Sequence, residues 1–278
     1  MPTIVKLVKI VKKIFVADNS SNDIIELLKA QGHKIVYCNN FQNISKEVNA
    51  EKPDILLLDA HNSYFKNVLD MQMETIFSLA KLAQSRDDDT GKHLERVQQY
   101  CFVLAKALSE NSQYSHLIDD NFINNIYNAS PLHDIGKVGI SDLILLKPAK
   151  LTQEEFEIMK THTILGYETL AEVDEKFGNN EFITMGKIIA RSHHERWDGN
   201  GYPDKLKGEE IPLAARIMAI ADVYDALSTK RVYKDAMPQD KCVQIIIENK
   251  GTQFDPIIVD KFLDIADEFA KIRNKLKD

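Results

Sequence analysis

No apolar stretch in this 278-residue chain reaches the ~18 consecutive residues that a membrane-spanning helix needs, so no span is expected. The opening MPTIVKLVKIVKK threads lysines through its apolar positions and lacks the layout of a cleaved secretion signal; it reads as a strand or a small amphipathic helix. Cysteine is scarce. Cys38, Cys101 and Cys242 are odd in number and far apart, which argues against a disulfide framework and fits free thiols in a reducing cytoplasm. Positive charge is in deficit, 35 Lys and Arg against 42 Asp and Glu for a net −7. That excludes a nucleic-acid binder with a broad basic surface, so DNA is not an expected partner, yet it leaves room for a small anion in a local cationic pocket. There is neither an internal repeat nor a low-complexity segment, and Trp197 is the lone tryptophan. What is present, 44% hydrophobic and 28% charged residues, suits a globular protein with a real core, in one large domain or two modest ones.

Residues 12–60 alternate short apolar runs with helical stretches. KIFVAD, HKIVYC and PDILLLDA read as strands, SNDIIELLKAQG as a helix ending at a glycine, and FQNISKEVNAEK as a polar helix. Strand-helix-strand-helix-strand implies a parallel α/β layer. This portion resembles the first half of a response-regulator receiver domain, with Asp18 and Asn19 where that family has an acidic pair and Asp59 at the phosphoacceptor position. Asn19 in place of a carboxylate weakens any magnesium site there. The chain then turns into a long helix with no room for the remaining strands, so Asp59 reads first as a carboxylate that simply ends its strand and only second as a phosphoacceptor.

From about residue 66 onward the alternation disappears. Leu69, Met73, Ile76, Ala80 and Ala83 recur at helical spacing, a seam suited to packing within the chain or to a homodimer through a connecting helix. Leu94, Val97, Cys101, Leu104 and Leu108 form a second stripe, and further helices are expected near 117–131, 152–175, 181–194, 211–230, 238–250 and 256–274. The fold class is mainly α, an all-helical domain preceded by a small, incomplete receiver-like α/β domain.

Of the eight histidines, five fall in a suggestive series: His93, His133 beside Asp134, His162, and the tandem His193-His194. A carboxylate, Asp222, follows in AIADVYDAL. Each alone is weak, since a lone helical histidine is more often a hydrogen-bonded structural residue, the reading given to His33, His61 and His116. Number and setting argue otherwise. His133-Asp134 runs into IGKVGI, where glycines let backbone approach closely, His162 is expected inside a helix, and His193-His194 closes another. Helices in a bundle can aim such side chains at one interior point. Imidazoles and carboxylates without thiolate suit iron, manganese or zinc.

The stretches RDDDTGKHLERV, HDIGKVGI, HTILGYETL, HHERWDGNGYP and IADVYDALSTKRVYK, in this order across roughly 200 residues, resemble the HD-GYP domain, a branch of the HD phosphohydrolases. The resemblance implies a partial receiver-like domain over 1–64, a connecting helix over 65–84 and the hydrolase domain over 85–278. It carries metal ligation to His93, His133, Asp134, His162, His193, His194 and Asp222, with Asp134 bridging two divalent cations, iron or manganese being favoured. Asp89 stands where the family often has a glutamate tied to a third metal. One helical turn before His93, it could share that face or could cap the helix in DDDTGKH. Asp134 and Lys137 would be catalytic, Lys137 as a phosphate contact or proton donor to the leaving group. Lys137, Gly201, Tyr202, Pro203, Arg231 and Lys234 would meet the substrate.

The implied substrate is cyclic di-GMP, hydrolysed to linear pGpG and then to GMP in bacterial second-messenger signalling, with signalling proteins as further partners. A phosphodiester needs a hydroxide, charge relief and in-line placement, which paired metals supply together. Imidazoles hold metal without neutralising it, while Asp134 offers two oxygens for a bridge. Arg231 can clamp phosphate bidentately and Lys234 adds a point charge. Gly199, Gly201 and Pro203 would shape a loop presenting Tyr202, with Trp197 either packing in the core or meeting a base. Two alternatives stay open: a catalytically silent cyclic-dinucleotide receptor or scaffold, and a hydrolase preferring cyclic GMP-AMP. A single-metal nucleotide phosphohydrolase fits less well, because it would not need the extra histidines.

Overall fold

The protein is described here by a computed structural model covering residues 12–17, 26, 28–37, 51, 54–58, 63–86, 92–177, 180–229 and 236–277. The chain divides into two compact units, Met1–Thr75 and Ile76–Asp278. Aliphatic and β-branched runs make the strands of the first: β1 (Lys13–Ala17), β2 (Lys34–Tyr37) and β3 (Ile55–Leu58). All pair in parallel in the order β2-β1-β3, with Ile14 opposite Ile35 on one side and Ile55 on the other. The parallel layer expected from the sequence is present. Ile14 is buried with Leu28 and Ile35 packed against it. Gly32, at φ +86°, takes the left-handed turn that ends the preceding helical residues. Asp18, Asn19, Cys38, Asp59 and His61 lie outside the described residues.

Helix α1 (Ser63–Gln84) begins where a long helix is expected. On its seam Ala80 is buried and Met73, Ile76 and Ala83 are half-buried, whereas Met71, Leu79 and Leu82 face solvent. The second unit is built from α2 (His93–Asn111), α3 (Asp120–Ala129), α4 (Asp142–Leu145), α5 (Gln153–Lys160), α6 (His162–Phe177), α7 (Glu181–Ser192), α8 (Leu213–Ser228), α9 (Gln239–Glu248), α10 (Pro256–Asp264) and α11 (Ala266–Lys275). The stripe Leu94, Val97, Cys101, Leu104 and Leu108 is wholly buried and forms the spine of this unit, against α3 and α8. The thiols of Cys101 and Cys242 are buried within it. Caps set the helix starts. Asp119 accepts from the Phe122 N–H at 2.8 Å, Asn180 from Phe182 at 3.1 Å, and Thr152 with Glu155 forms a capping box. Among the described residues no helix is long and apolar enough to cross a membrane.

Two expected helices are each split. The run over 152–175 breaks at Thr161, where three successive side chains turn back to carbonyls three residues earlier. Thr161 Oγ1 reaches Ile158 O at 2.6 Å, His162 Nδ1 reaches Met159 O at 2.7 Å and Thr163 Oγ1 reaches Lys160 O at 2.9 Å. His162 therefore opens α6 instead of lying inside a helix. The run over 256–274 breaks at Ile265, at φ −122°, and α11 then places Phe269 flat on Tyr100 with centroids 4.6 Å apart.

Candidate metal centre

Helix α3 ends at Ala129, and the 3-10 turn Ser130–Leu132 hands the chain to His133 and Asp134. A second 3-10 turn, Ile135–Gly139, follows and lies against α6. Gly136 makes that approach possible. A Cβ there would stand 1.9 Å from the His162 carbonyl oxygen and 2.5 Å from the Gly166 nitrogen. The absence of a side chain at one position thus brings Asp134 to His162.

Asp134 sits at the middle of the cluster. Its Oδ1 is 3.3 Å from His162 Nε2 and 3.6 Å from His193 Nε2, while its Oδ2 is 3.3 Å from His133 Nε2 and 2.7 Å from Lys137 Nζ. Donor atoms gather in two groups, each with its members within 4.8 Å of one another. Asp134, His162, His193 and His194 form one; His93, His133 and Asp222 form the other. All seven ligand positions read from the sequence therefore meet in one interior site. His93 Nε2 lies 3.9 Å from Asp222 Oδ1. Asp89, Arg231 and Lys234 lie outside the described residues.

The donor set fits divalent cations on an observation independent of any resemblance. His93, His133, His162 and His193 are buried, and each Nε2 has no hydrogen-bond partner, nor does Asp134 Oδ1. A buried unpaired polar atom is costly, and five around one point are not core packing. On the far side of three rings, Nδ1 is tied to backbone: His133 to Ser130 O at 2.9 Å, His162 to Met159 O at 2.7 Å, His193 to Ile189 O at 2.9 Å. A carbonyl only accepts, so Nδ1 carries the proton and the Nε2 lone pair faces the cluster, as metal ligation requires.

Electrostatics divide the site. Burial depresses His193, and burial together with the neighbouring His193 and His162 holds His194 well below the ordinary imidazole range, so both are neutral ligands at pH 7. At His133 burial also lowers the pKa, but Asp134 and Asp222 reverse it and raise the ring to about 9. For Asp134 burial raises the carboxyl, yet the Lys137 ammonium and His133 hold it well below the carboxylate range. Without metal, His133 carries a proton that a cation must displace.

The support behind these side chains was not read from the sequence. Asp225, buried in α8, takes His93 Nδ1 at 2.7 Å, and Arg96 grips the same carboxylate from Nε at 2.7 Å and from its second terminal nitrogen at 3.1 Å. Asp225 follows Asp222 by one helical turn and Arg96 follows His93 by one, a spacing legible in the sequence but unassigned. Glu195 was also missed. Buried beside the histidine pair, it accepts from the Asp204 N–H at 2.7 Å and the Leu206 N–H at 3.1 Å, tying down the loop through Gly201, Tyr202 and Pro203. Gly201 presses on that segment so closely that a Cβ would lie 2.4 Å from the Arg196 nitrogen. Tyr202 stacks on His194, with centroids 4.8 Å apart at 29°. The half-buried Trp197 ring lies 5.8 Å from the Arg216 guanidinium, and the Trp197 backbone N–H donates to Gln253 O at 3.2 Å.

A helical unit closing five imidazoles and two carboxylates around two neighbouring points defines a bundle with a candidate metal centre. Residues 77–258 match the HD domain family, and the chain belongs to it. A cyclic di-GMP phosphodiesterase of Vibrio cholerae is 47% identical over 221 residues, 80% of this chain and 44% of its own length. The cyclic di-GMP phosphodiesterase response regulator RpfG of Xanthomonas campestris is 39% identical over 227 residues, 81% of this chain and 57% of its own. A 3'3'-cGAMP-specific phosphodiesterase 2 of Vibrio cholerae is 40% identical over 205 residues, covering 74% and 37%. The chain spans about half the length of the curated relatives it matches.

Proposed function

We propose that the protein is a metal-dependent phosphodiesterase that hydrolyses cyclic di-GMP to linear pGpG and onward to GMP, in bacterial second-messenger signalling in the cytoplasm. The observation that carries this reading is the placement of Asp134, one oxygen toward His162 and His193 and the other toward His133, amid unpartnered buried Nε2 atoms. His162, His193 and His194 would hold one cation, His93, His133 and Asp222 a second, with Asp134 shared between them; Asp89 is the position for a third. Iron or manganese suits this oxygen and nitrogen set. When bound, such cations supply charge relief at the phosphoryl oxygens and an acidified water.

The chain's own residues orient and select. Lys137, held at Asp134 by a 2.7 Å ion pair, is placed to meet a phosphate oxygen or to pass a proton to the leaving group. Tyr202, stacked on His194, with Gly201 and Pro203 in the loop pinned by Glu195, would form the substrate-facing wall. Arg231 and Lys234 would clamp the second phosphate. A silent receptor would be expected to have lost a ligand, and none is lost here. Preference for cyclic GMP-AMP is the second reading, favoured by the 40% identity to a relative named for that substrate. A homodimer through α1 would have the exposed Met71, Leu79 and Leu82 to use, together with the half-buried Met73, Ile76 and Ala83.

Product chromatography with cyclic di-GMP and with cyclic GMP-AMP, on metal-replete protein, tests the proposal. Conversion of cyclic di-GMP to pGpG, abolished in Asp134→Ala, is expected. Hydrolysis of neither substrate overturns it, and turnover of cyclic GMP-AMP alone transfers it to the second reading.

A further inference from the structure

A second pocket lies in the helical unit, behind the metal centre. It holds about 460 Å³ and is lined by Arg96, Ser228, Thr229, Met237, Arg273 and Lys277, with Ala236, Pro238 and Asn274 at its margin. Asp225 separates it from the cluster, touching His93 on one face and Arg96 on the other. Two of its groups are built into the core: Arg96 is 1% exposed and Ser228 is 3% exposed. The Ser228 hydroxyl is buried and has no hydrogen-bond partner among the described residues. Arg273 and Lys277 make no ion pair among them.

The charge balance decides the ligand class. Among the described residues the pocket's lining carries Arg96, Arg273 and Lys277, and the carboxylate paired to it is Asp225 on Arg96, leaving a surplus of two positive charges. Helices α8 and α11 both end at the pocket, and each C-terminus subtracts about half a charge. The N-terminus of α9, capped by Pro238 at the pocket, returns about half a charge. A surplus of between one and two remains, so an anion is favoured and a cation is not. The volume exceeds that of a bare oxyanion and falls in the range of small-ligand clefts. Ala236, Met237 and Pro238 give the remainder an apolar side.

We infer that this pocket binds a small organic phosphate monoester of nucleotide size, with the phosphate between Arg273, Lys277 and the Ser228 hydroxyl and the organic part against Met237 and Pro238. No other assigned role uses these residues, apart from Arg96, which holds Asp225. The site is independent of the hydrolase reading, and its test avoids the metal centre.

The test is isothermal titration of the full chain, stripped of metal by chelation, with adenosine monophosphate and with inorganic phosphate. Adenosine monophosphate is expected to bind saturably and at least about tenfold more tightly than phosphate. The double variant Arg273→Ala, Lys277→Ala is expected to weaken it at least about tenfold, Ser228→Ala to weaken it less, and His194→Ala to leave it unchanged. Lys277 is exposed and Arg273 half-buried, so circular dichroism should show the double variant folded. Equal affinity in the double variant, loss in His194→Ala, phosphate binding as tight as the nucleotide, or no saturable binding each overturns the assignment.

Discussion

At the scale of single residues, the account turns on which atoms lack partners. Four Nε2 atoms and one carboxylate oxygen are buried without hydrogen bonds, and their opposite ends are held by carbonyls or by Asp225. If Asp225 fixes His93 as a ligand, Asp225→Asn should weaken metal binding about 10- to 100-fold while the fold survives. Metal titration in the His93→Ala background supplies the control. There Asp225→Asn should add nothing, and an equal further loss would show that it acts elsewhere. A second prediction follows from His133, whose ring is raised to about 9 in the metal-free chain. Because the ring stays protonated below that value and a cation needs the neutral form, metal must displace one proton. Apparent affinity should therefore rise about tenfold per pH unit from 7 toward 9 and then level off. A flat profile, or one proton fewer released in calorimetry than this requires, would contradict the assignment.

At the scale of elements, close backbone approaches hold the centre together. Gly136→Ala would drive a Cβ into the His162 carbonyl, so the turn carrying Asp134 must separate from α6. Stability should fall by about 1–3 kcal/mol in denaturant melts, and metal retention should fall with it. Glu195→Gln offers a donor where two backbone N–H groups need acceptors, and should cost ~1–3 kcal/mol with a larger loss in substrate affinity than in metal content. Unchanged melts and kinetics would remove both from the account. Helical stripes were legible because burial follows the 3.6-residue period: the stripe from Leu94 to Leu108 is buried throughout. The breaks at Thr161 and Ile265 were not, since neither carries Gly or Pro. At Thr161 the cause is a set of side-chain bonds that compete with the helix and have no period.

At the scale of the whole molecule, the candidate cluster was legible through the resemblance, whose motifs single out the five histidines and two aspartates that the structure gathers. Its outer support was not readable, because Asp225, Arg96 and Glu195 look like ordinary charged helix and loop residues until burial shows them paired. The same limit applied to the seam on α1, where the period located an apolar face but could not say whether chain or partner covers it. A parallel α/β layer was expected from the succession of strands and helices, but not its order β2-β1-β3; Asp59, which follows the third strand in sequence, is predicted not to accept phosphate efficiently. Stoichiometric labelling by a small phosphodonor, lost in Asp59→Ala, would reverse that.

The most direct measurement is the metal-to-protein ratio of anaerobically purified protein by mass spectrometry, wild type beside Asp134→Ala. The account predicts two or three transition-metal ions per chain, with at least one lost in the variant. A ratio of one or below in the wild type, or identical ratios in both, would contradict a shared site centred on Asp134.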